Sequence, residues 1–321
     1  MATVDAVSAG YDACIEGAGL VDRSEAGKLL LTGAQAREFL DGQVSNEVAT
    51  LAEGHGRYAA LLTNKGRMLA DLRVLATGGG LLLICERVAL QALFDQLRRG
   101  LIGWQVELHK RTLELGLLSL VGPRAEEIAR AAGLPVPGPD EHDIVAYDGG
   151  GDDACVVGAV VRTDAGLDVL PPAARAGGVR AALLAAGAVD APEAAAEIVR
   201  VEHGRPRYGV DLDASVMPEE AGIVDRAVSF KKGCYVGQET VARLHWKGKP
   251  NRHLRGLRLS APVAPGTPVV AGEREVGTVG SAVVSPRQGP IALAILRREV
   301  APGERVRIGD VDADVVVPPF S

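Results

Sequence analysis

Hydrophobic and polar positions follow different periods in two regions of the chain. Before residue 252, runs of strand length are interspersed with helical patterns. In residues 87–99, for example, apolar side chains recur at i, i+3 and i+4, which predicts an amphipathic helix. From residue 252 onwards, short alternating runs separated by Gly, Pro and Asp predict roughly six strands and no helix. We therefore expect an α+β fold class, with an α+β body followed by a small antiparallel β-barrel or sandwich.

Within the body, residues 57–63 and 67–77 predict a β-hairpin, because Asn64 and Gly66 suit the positive-φ positions of a tight turn. The other predicted elements are strands 81–86, 113–121, 154–162 and 167–170 and helices 34–42, 124–132, 173–186 and 192–202. The Pro-rich stretch 134–140 predicts a break between subdomains. We divide the chain into an N-terminal α+β region (1–133), a central α+β region (134–251) and the C-terminal barrel (252–321).

Composition excludes several classes of protein. The chain has 321 residues, 47% of them apolar and 24% charged, which rules out wholesale disorder. No apolar run approaches 18 residues, and the N-terminus lacks the basic and apolar regions of a signal peptide, so we expect a cytoplasmic protein without membrane contact.

The four cysteines, 14, 85, 155 and 234, show no CxxC spacing, which argues against a disulfide framework or a zinc site. Cys85 and Cys155 lie in apolar runs and are predicted to be small buried hydrophobes.

The net charge of −6 conceals an uneven distribution. Residues 226–258 hold nine Lys or Arg and a single acid, Glu239, which gives +8 locally and −14 for the rest of the chain. This basic segment predicts attraction of anionic ligands or of an acidic partner surface. One alternative is an RNA-binding module with Tyr235 and Trp246 as stacking platforms. The charge of the whole chain argues against nucleic acid as a partner.

The stretch 200–249 contains the candidate chemistry. Cys234 follows Lys231 and Lys232, and neighbouring ammonium groups favour the thiolate form of a cysteine. Glycines at 233 and 237 permit a sharp bend, and a helix beginning near residue 237 would direct its positive end towards the thiol. The alternative, a charged turn with a chance cysteine, stays open on spacing alone.

Two carboxylates have ambiguous surroundings. Glu202 ends an apolar helix, where it is either solvated or a fixed hydrogen-bond acceptor. Asp71 lies in an otherwise apolar strand, where it is either turned outwards or buried with partners. His203, His245 and His253 lack ligand spacing and are predicted to be solvated, so we expect no resident metal.

The motif at 232–239, K-G-C-Y-V-G-Q-E, resembles the signature of the YgfZ family, folate-binding proteins related to the glycine-cleavage T-protein (aminomethyltransferase). Three further segments, 39–74, 200–213 and 217–223, resemble family sequence blocks, so the similarity covers essentially the whole chain. The motif residues singled out are Lys232, Gly233, Cys234, Tyr235, Gly237, Gln238 and Glu239.

The resemblance implies a T-protein-like fold around a central folate site, with tetrahydrofolate or a one-carbon derivative as cofactor. It also implies a role in assembling or repairing iron–sulfur clusters in client enzymes, such as tRNA-modifying methylthiotransferases. By position, Glu202 would hold the pterin ring and Tyr58 would line the folate cavity. Asp71 matches one member of an aspartate pair that includes the T-protein's catalytic residue, and the other member here is Ala70. That departure favours YgfZ over aminomethyl transfer.

Our hypothesis from the sequence is a folate-binding protein that supports iron–sulfur enzymes or cluster-assembly proteins through the Cys234 thiol. The thiol would contact iron or a cluster transiently, form a mixed disulfide or act as a nucleophile. Lys231 and Lys232 would activate it or attract the glutamyl tail of folate, and Gln238 and Glu239 would position the loop. The alternative is a folate-dependent aminomethyltransferase. The sequence does not decide whether the protein turns over a substrate.

Overall fold

The computed structural model describes residues 3–148 and 158–320. The helices in these ranges are α1 Val4–Glu16, α2 Ala36–Gln43, α3 Leu90–Gly100, α4 Ala125–Ala131, α5 Ala176–Ala185, α6 Glu193–Glu202, α7 Val224–Ala227 and α8 Gln238–Lys247. The body strands are β1 Gly19–Asp22, β2 Gly27–Thr32, β3 Gly56–Leu62, β4 Met68–Thr77, β5 Gly80–Cys85, β6 Glu107–Lys110, β7 Leu118–Val121, β8 Ile144–Tyr147, β9 Gly158–Thr163, β10 Gly166–Leu170 and β11 Val189–Asp190. The C-terminal strands are β12 Arg252–Leu259, β13 Pro268–Ala271, β14 Arg274–Ser285, β15 Gly289–Arg297, β16 Arg305–Ile308 and β17 Val311–Val316.

A five-stranded sheet of order β3-β4-β5-β2-β6 contains the predicted hairpin. The turn between β3 and β4 passes through Gly66 at φ +72°, as the sequence predicted, but Asn64 does not have the positive φ that was predicted for it. Side chains on β4 alternate between the two faces of the sheet. Ala70 and Leu72 pack in a hydrophobic core with α2 and α3, whereas Asp71 and Arg73 face the opposite way.

A six-stranded sheet of order β11-β1-β7-β10-β9-β8 crosses the boundary that we placed at 133/134. Strands β1 and β7 come from the first predicted region, and β8 to β11 come from the second. The two regions therefore share one sheet, because strands that pair need not be neighbours in sequence. The sequence pattern also did not predict α1, which packs Tyr11 and Cys14 against α6.

The two sheets pack against each other through an apolar cluster that includes Leu75 and Ile84 on one sheet and Val161 and Leu170 on the other. Such face-to-face packing of two sheets around a core is a standard layer architecture. It brings Asp71 and Arg73 of one sheet towards Ser119 and Asp168 of the other. The interface between the sheets is thus where polar groups from distant parts of the chain meet.

The predicted C-terminal barrel is confirmed. Strands β12 to β17 close in the order β12-β15-β14-β13-β16-β17, beginning at Arg252. Inward-facing apolar residues such as Leu257, Ala292 and Val315 fill it. Strand β14 packs against α6, which joins the barrel to the body. No helix within the described ranges is long and apolar enough to cross a membrane.

Candidate functional site

A cavity of about 280 Å³ lies between the two sheets. Its wall comes from β4, β5, β7 and β10, from the helix α6 and from the segment that follows α6. The polar lining residues are Arg23, Tyr58, Asp71, Arg73, Glu86, Ser119, Glu141, His142, Thr163, Asp164, Asp168, Arg200, His203, Arg205, Arg207, Tyr208 and Arg226. A small cavity with many convergent polar groups is typical of a ligand site.

Asp71 and Tyr58 form a hydrogen-bonded pair in this cavity. The Tyr58 hydroxyl donates to Oδ2 of Asp71 at 2.6 Å, across the β3-β4 hairpin. Burial raises the pKa of the Asp71 carboxyl above its usual range, although the hydrogen bond from Tyr58 opposes that rise. Burial and the Asp71 charge together raise the pKa of Tyr58 well above its ordinary value. The arrangement supplies a carboxyl group able to exchange a proton in a largely dry site.

Arginine side chains line the cavity, and acids hold them in place. Arg73 contacts Asp168 at 2.6 Å, and Ser119 donates to the same carboxylate at 2.5 Å. Burial opposes ionisation of Asp168, but Arg73 and Ser119 hold the pKa of this carboxyl below its ordinary value. Arg226 pairs with Glu141 and lies over the Tyr58 ring, with its guanidinium carbon 5.0 Å from the ring centre. The cavity wall therefore presents positioned cations.

His142 is a cavity residue that the sequence did not point to. Its side chain is 8% exposed, and among the described residues neither ring nitrogen has a hydrogen-bond partner. Burial, and then the nearby Arg73 and Arg226, lower the pKa of the imidazole to about 3. Its backbone has φ +74°, a conformation that residues other than glycine seldom adopt. No sequence pattern marked this residue, because its burial depends on strands far along the chain.

Glu202 is buried at the end of α6 but is not among the residues that line the cavity. Its Oε1 accepts hydrogen bonds from the hydroxyls of Tyr11, at 2.8 Å, and Ser285. The fixed-acceptor alternative is therefore correct, and the solvated alternative is wrong. Val199 in the same helix and His203, which follows the helix, do line the cavity.

The 232–239 motif lies outside the cavity. Cys234 is exposed and is not a cavity-lining residue. The left-handed Gly237, at φ +85°, begins α8, and a Cβ there would lie 2.5 Å from the carbonyl oxygen of Thr63. The motif loop is thus fitted against the turn of the β3-β4 hairpin, and glycine is required at 237.

Two roles that we assigned to motif residues are corrected. Lys232 does not activate Cys234 or attract folate, because its buried ammonium donates to the carbonyls of Asp41 and Val44 and contacts the Asp41 carboxylate at 3.2 Å. Tyr235 is 6% exposed and packs in an apolar cluster, so it cannot stack on RNA bases. Trp246, by contrast, is 69% exposed.

Other cysteine and histidine predictions have mixed outcomes. Cys85 is buried as predicted, and burial raises the pKa of its thiol to about 12. Cys155 lies outside the described residues. His245 is not simply solvated, because it stacks on Phe230 with ring centres 4.2 Å apart and Nδ1 lies 3.3 Å from Glu219.

In the described part of the chain, no three His, Cys, Asp or Glu residues are grouped to hold a metal ion.

Comparisons with known proteins place this geometry in context. The GCVT N-terminal domain matches residues 2–232, and the glycine cleavage T-protein C-terminal barrel domain matches residues 252–321. An aminomethyltransferase of Rubrobacter xylanophilus is 30% identical over 98% of this chain and 86% of its own length. A putative chloroplastic transferase of Arabidopsis thaliana is 28% identical over 95% of this chain and 71% of its own. The crystal structure of the glycine cleavage system aminomethyltransferase T from Bartonella henselae superposes with a TM-score of 0.86 at 25% identity, covering 98% of this chain and 89% of that one.

Proposed function

We infer that this chain, which belongs to the glycine-cleavage T-protein family, binds tetrahydrofolate in the cavity between its two sheets and transfers a one-carbon unit there. The observation that carries this proposal is the Tyr58–Asp71 hydrogen bond inside the cavity. A carboxyl group whose pKa is raised by burial can accept a proton and return it during group transfer.

The residues present fit a folate. A pterin is a flat heterocycle with polar edges, and the cavity provides the Tyr58 ring as a flat surface with polar side chains around it. The acidic tail of a folate would be attracted to guanidinium groups at the wall. The bound folate would supply the amine nitrogens that receive the one-carbon unit, while Asp71 holds or moves the proton at Oδ2.

Aminomethyl transfer is the reaction that we favour, because relatives over nearly the full chain are named aminomethyltransferases. In this reaction the aminomethyl carbon of a lipoyl carrier becomes the methylene bridge of the folate, and ammonia and the carrier thiol are released. The alanine at position 70 does not argue against it. Ala70 faces the hydrophobic core, so an aspartate there would not reach the cavity that Asp71 lines.

The test combines binding and turnover. Tetrahydrofolate should bind saturably, and an aminomethylated lipoyl carrier should yield methylene-tetrahydrofolate and ammonia. Asp71→Asn should abolish turnover, and Cys234→Ala is the matched control because that residue lies outside the cavity. Absence of tetrahydrofolate binding to the parent protein would refute the proposal. Binding of tetrahydrofolate without turnover would support folate binding and refute the proposed transferase activity.

A second candidate is the YgfZ-type function, support of iron–sulfur cluster assembly or repair in client enzymes. The motif at 232–239 favours it, and the thiol of Cys234 is exposed where a partner can contact it. The buried Lys232 anchors the loop that presents the thiol. Cys234 would then bind iron or a cluster transiently, form a mixed disulfide or act as a nucleophile, and folate would occupy the same cavity.

This second candidate is tested in a deletion strain by the activity of iron–sulfur enzymes, tRNA-modifying methylthiotransferases among them. The parent gene should restore activity, and Cys234→Ala should not. Lys231→Ala is the matched control, since it changes an exposed neighbour and keeps the thiol. Full restoration by Cys234→Ala would end the thiol hypothesis and leave aminomethyl transfer as the function.

A further inference from the structure

The imidazole of His142 faces the cavity without a hydrogen-bond partner of its own. Both ring nitrogens are buried and unpaired among the described residues, and the nearest carboxylate oxygen, on Glu141, is 3.6 Å from Nε2. That separation is too long for a hydrogen bond. Buried polar groups are nearly always paired, so an unpaired ring at a cavity wall points to a partner that occupies the cavity.

The surrounding structure holds His142 in its unusual conformation. Its N–H donates to the carbonyl of Arg162 at 3.0 Å, and the next residue, Asp143, accepts from His55 at 2.7 Å and from the backbone of Asp140 at 3.0 Å. Gly56 allows the close approach, since a Cβ at 56 would lie 2.6 Å from the His142 carbonyl oxygen. A left-handed residue fixed in this way is typical of functional sites.

The ring is neutral in its surroundings. It lies among the positive charges of Arg57, Arg73 and Arg226, which disfavour protonation of the imidazole to a fourth cation beside them. A neutral imidazole offers one N–H donor and one nitrogen acceptor. The centre of the ring is 6.4 Å from that of Tyr58, with the planes 34° apart, so both rings border the same part of the cavity.

We propose that His142 is a ligand-binding residue that hydrogen-bonds to the polar edge of an uncharged heterocycle lying against Tyr58. The inference rests on the proposed function and deepens it, because it assigns the pterin ring, and not the acidic tail, to the His142–Tyr58 end of the cavity. His142 thereby selects heterocycles with a neutral donor or acceptor at that edge. The wall arginines that do not flank the His142 ring, such as Arg23 and Arg207, remain for anionic groups.

Binding and stability separate this role from a structural one. His142→Gly removes the ring and relieves the left-handed conformation, so its melting temperature should equal or exceed that of the parent. Its affinity for tetrahydrofolate, measured by calorimetry, should nevertheless fall by about tenfold or more. His142→Asn keeps a donor and an acceptor and tolerates positive φ, so it should lose less affinity. His109→Asn, a change outside the cavity, is the control.

Nitrogen-15 spectra of the histidine rings supply a signal that a structural role would not move. Adding tetrahydrofolate should shift one ring resonance of His142, assigned by its absence in His142→Asn. If the parent binds but His142→Gly binds equally well and the ring resonances do not move, the inference is wrong and the proposed function stands. If the parent does not bind tetrahydrofolate, the proposed function fails and the inference fails with it.

Discussion

At the scale of single residues, the cavity is built from groups that are costly to bury. Asp71 is an acid on a strand whose opposite face is hydrophobic core, and burial disfavours its charge. A fold does not gain stability from such a residue. Its presence is consistent with a chemical role, because functional sites retain groups whose environment shifts their protonation.

Asp71→Asn should separate activity from stability. We expect aminomethyl transfer to fall by about 100-fold or more, because the exchangeable proton is lost. Because the pKa of Asp71 is raised in the folded state, its charge destabilises the fold above that pKa, so the variant should melt higher at pH 7. Thermal melts at several pH values test this. The difference should shrink as the pH falls towards the ordinary aspartate range, and a lower melting temperature at pH 7 would contradict it.

His142 should make stability depend on pH in the opposite sense. The pKa of His142 falls from 6.5 to about 3 on folding. Between these pH values the imidazole is therefore protonated in the unfolded state and neutral in the folded state. Its titration therefore leaves the free energy of unfolding unchanged above pH 6.5 and lowers it as the pH falls towards 3, by up to about 1.4 kcal/mol per pH unit. Urea denaturation of the parent and of His142→Asn should show a shallower loss in the variant. Parallel curves would contradict this prediction.

The sequence predicted one of these two residues and missed the other, for a physical reason. Asp71 is conspicuous because its neighbours along the strand are apolar, which is local information. His142 sits in a loop of ordinary polar composition, and its burial is created by β3 and β9, whose strands come from distant parts of the chain. Glu202 was visible too, but its partners Tyr11 and Ser285 were not, because they lie 191 and 83 residues away.

At the scale of elements, the motif loop depends on one buried ion pair. Lys232 spans from the loop to the end of α2, where its ammonium meets Asp41. Burial lowers the pKa of this lysine, while the Asp41 carboxylate supports its charge. The loop therefore keeps its position by an interaction whose partners are 191 residues apart in sequence. Helix α3 and the β3-β4 hairpin were predictable from local periodicity, but α1 and this contact between distant residues were not.

Lys232→Met should destabilise the protein by about 3 kcal/mol, because it leaves the Asp41 carboxylate and two carbonyls without their cation. Lys231→Met, at an exposed position, should change the free energy of unfolding by less than about 0.5 kcal/mol. Denaturant unfolding measures both variants. Equal effects of the two substitutions would show that the ion pair does not anchor the loop.

At the scale of the whole molecule, Glu202 lies where three parts meet. Its carboxylate accepts from Tyr11 on α1 and from Ser285 on the barrel strand β14, while Glu202 itself ends α6. Burial, and then the hydrogen bond to Glu202, raise the pKa of Tyr11 to about 12, so its hydroxyl remains a donor at neutral pH. One carboxylate thus links the barrel strand β14 to two helices of the body, α1 and α6.

Glu202→Ala should cost about 2–3 kcal/mol of stability, because two buried hydroxyls lose their acceptor. Glu202→Gln keeps an acceptor and should cost less. The resemblance further predicts that Glu202→Gln weakens tetrahydrofolate binding. Tyr11→Phe removes the same hydrogen bond from the other side and is the matched control. If Glu202→Gln and Tyr11→Phe both lose stability and neither loses affinity for tetrahydrofolate, Glu202 is a structural residue and does not hold the pterin.

The order of the six-stranded sheet has a consequence for synthesis of the chain. Strand β1, at residues 19–22, has β7 on one side and the parallel strand β11, at residues 189–190, on the other. During synthesis the β11 side of β1 therefore stays unpaired from the time residues 19–22 emerge until residue 190 has left the ribosome. Unpaired strand edges can pair with strands of other chains, so the incomplete polypeptide is prone to aggregation and to binding by chaperones.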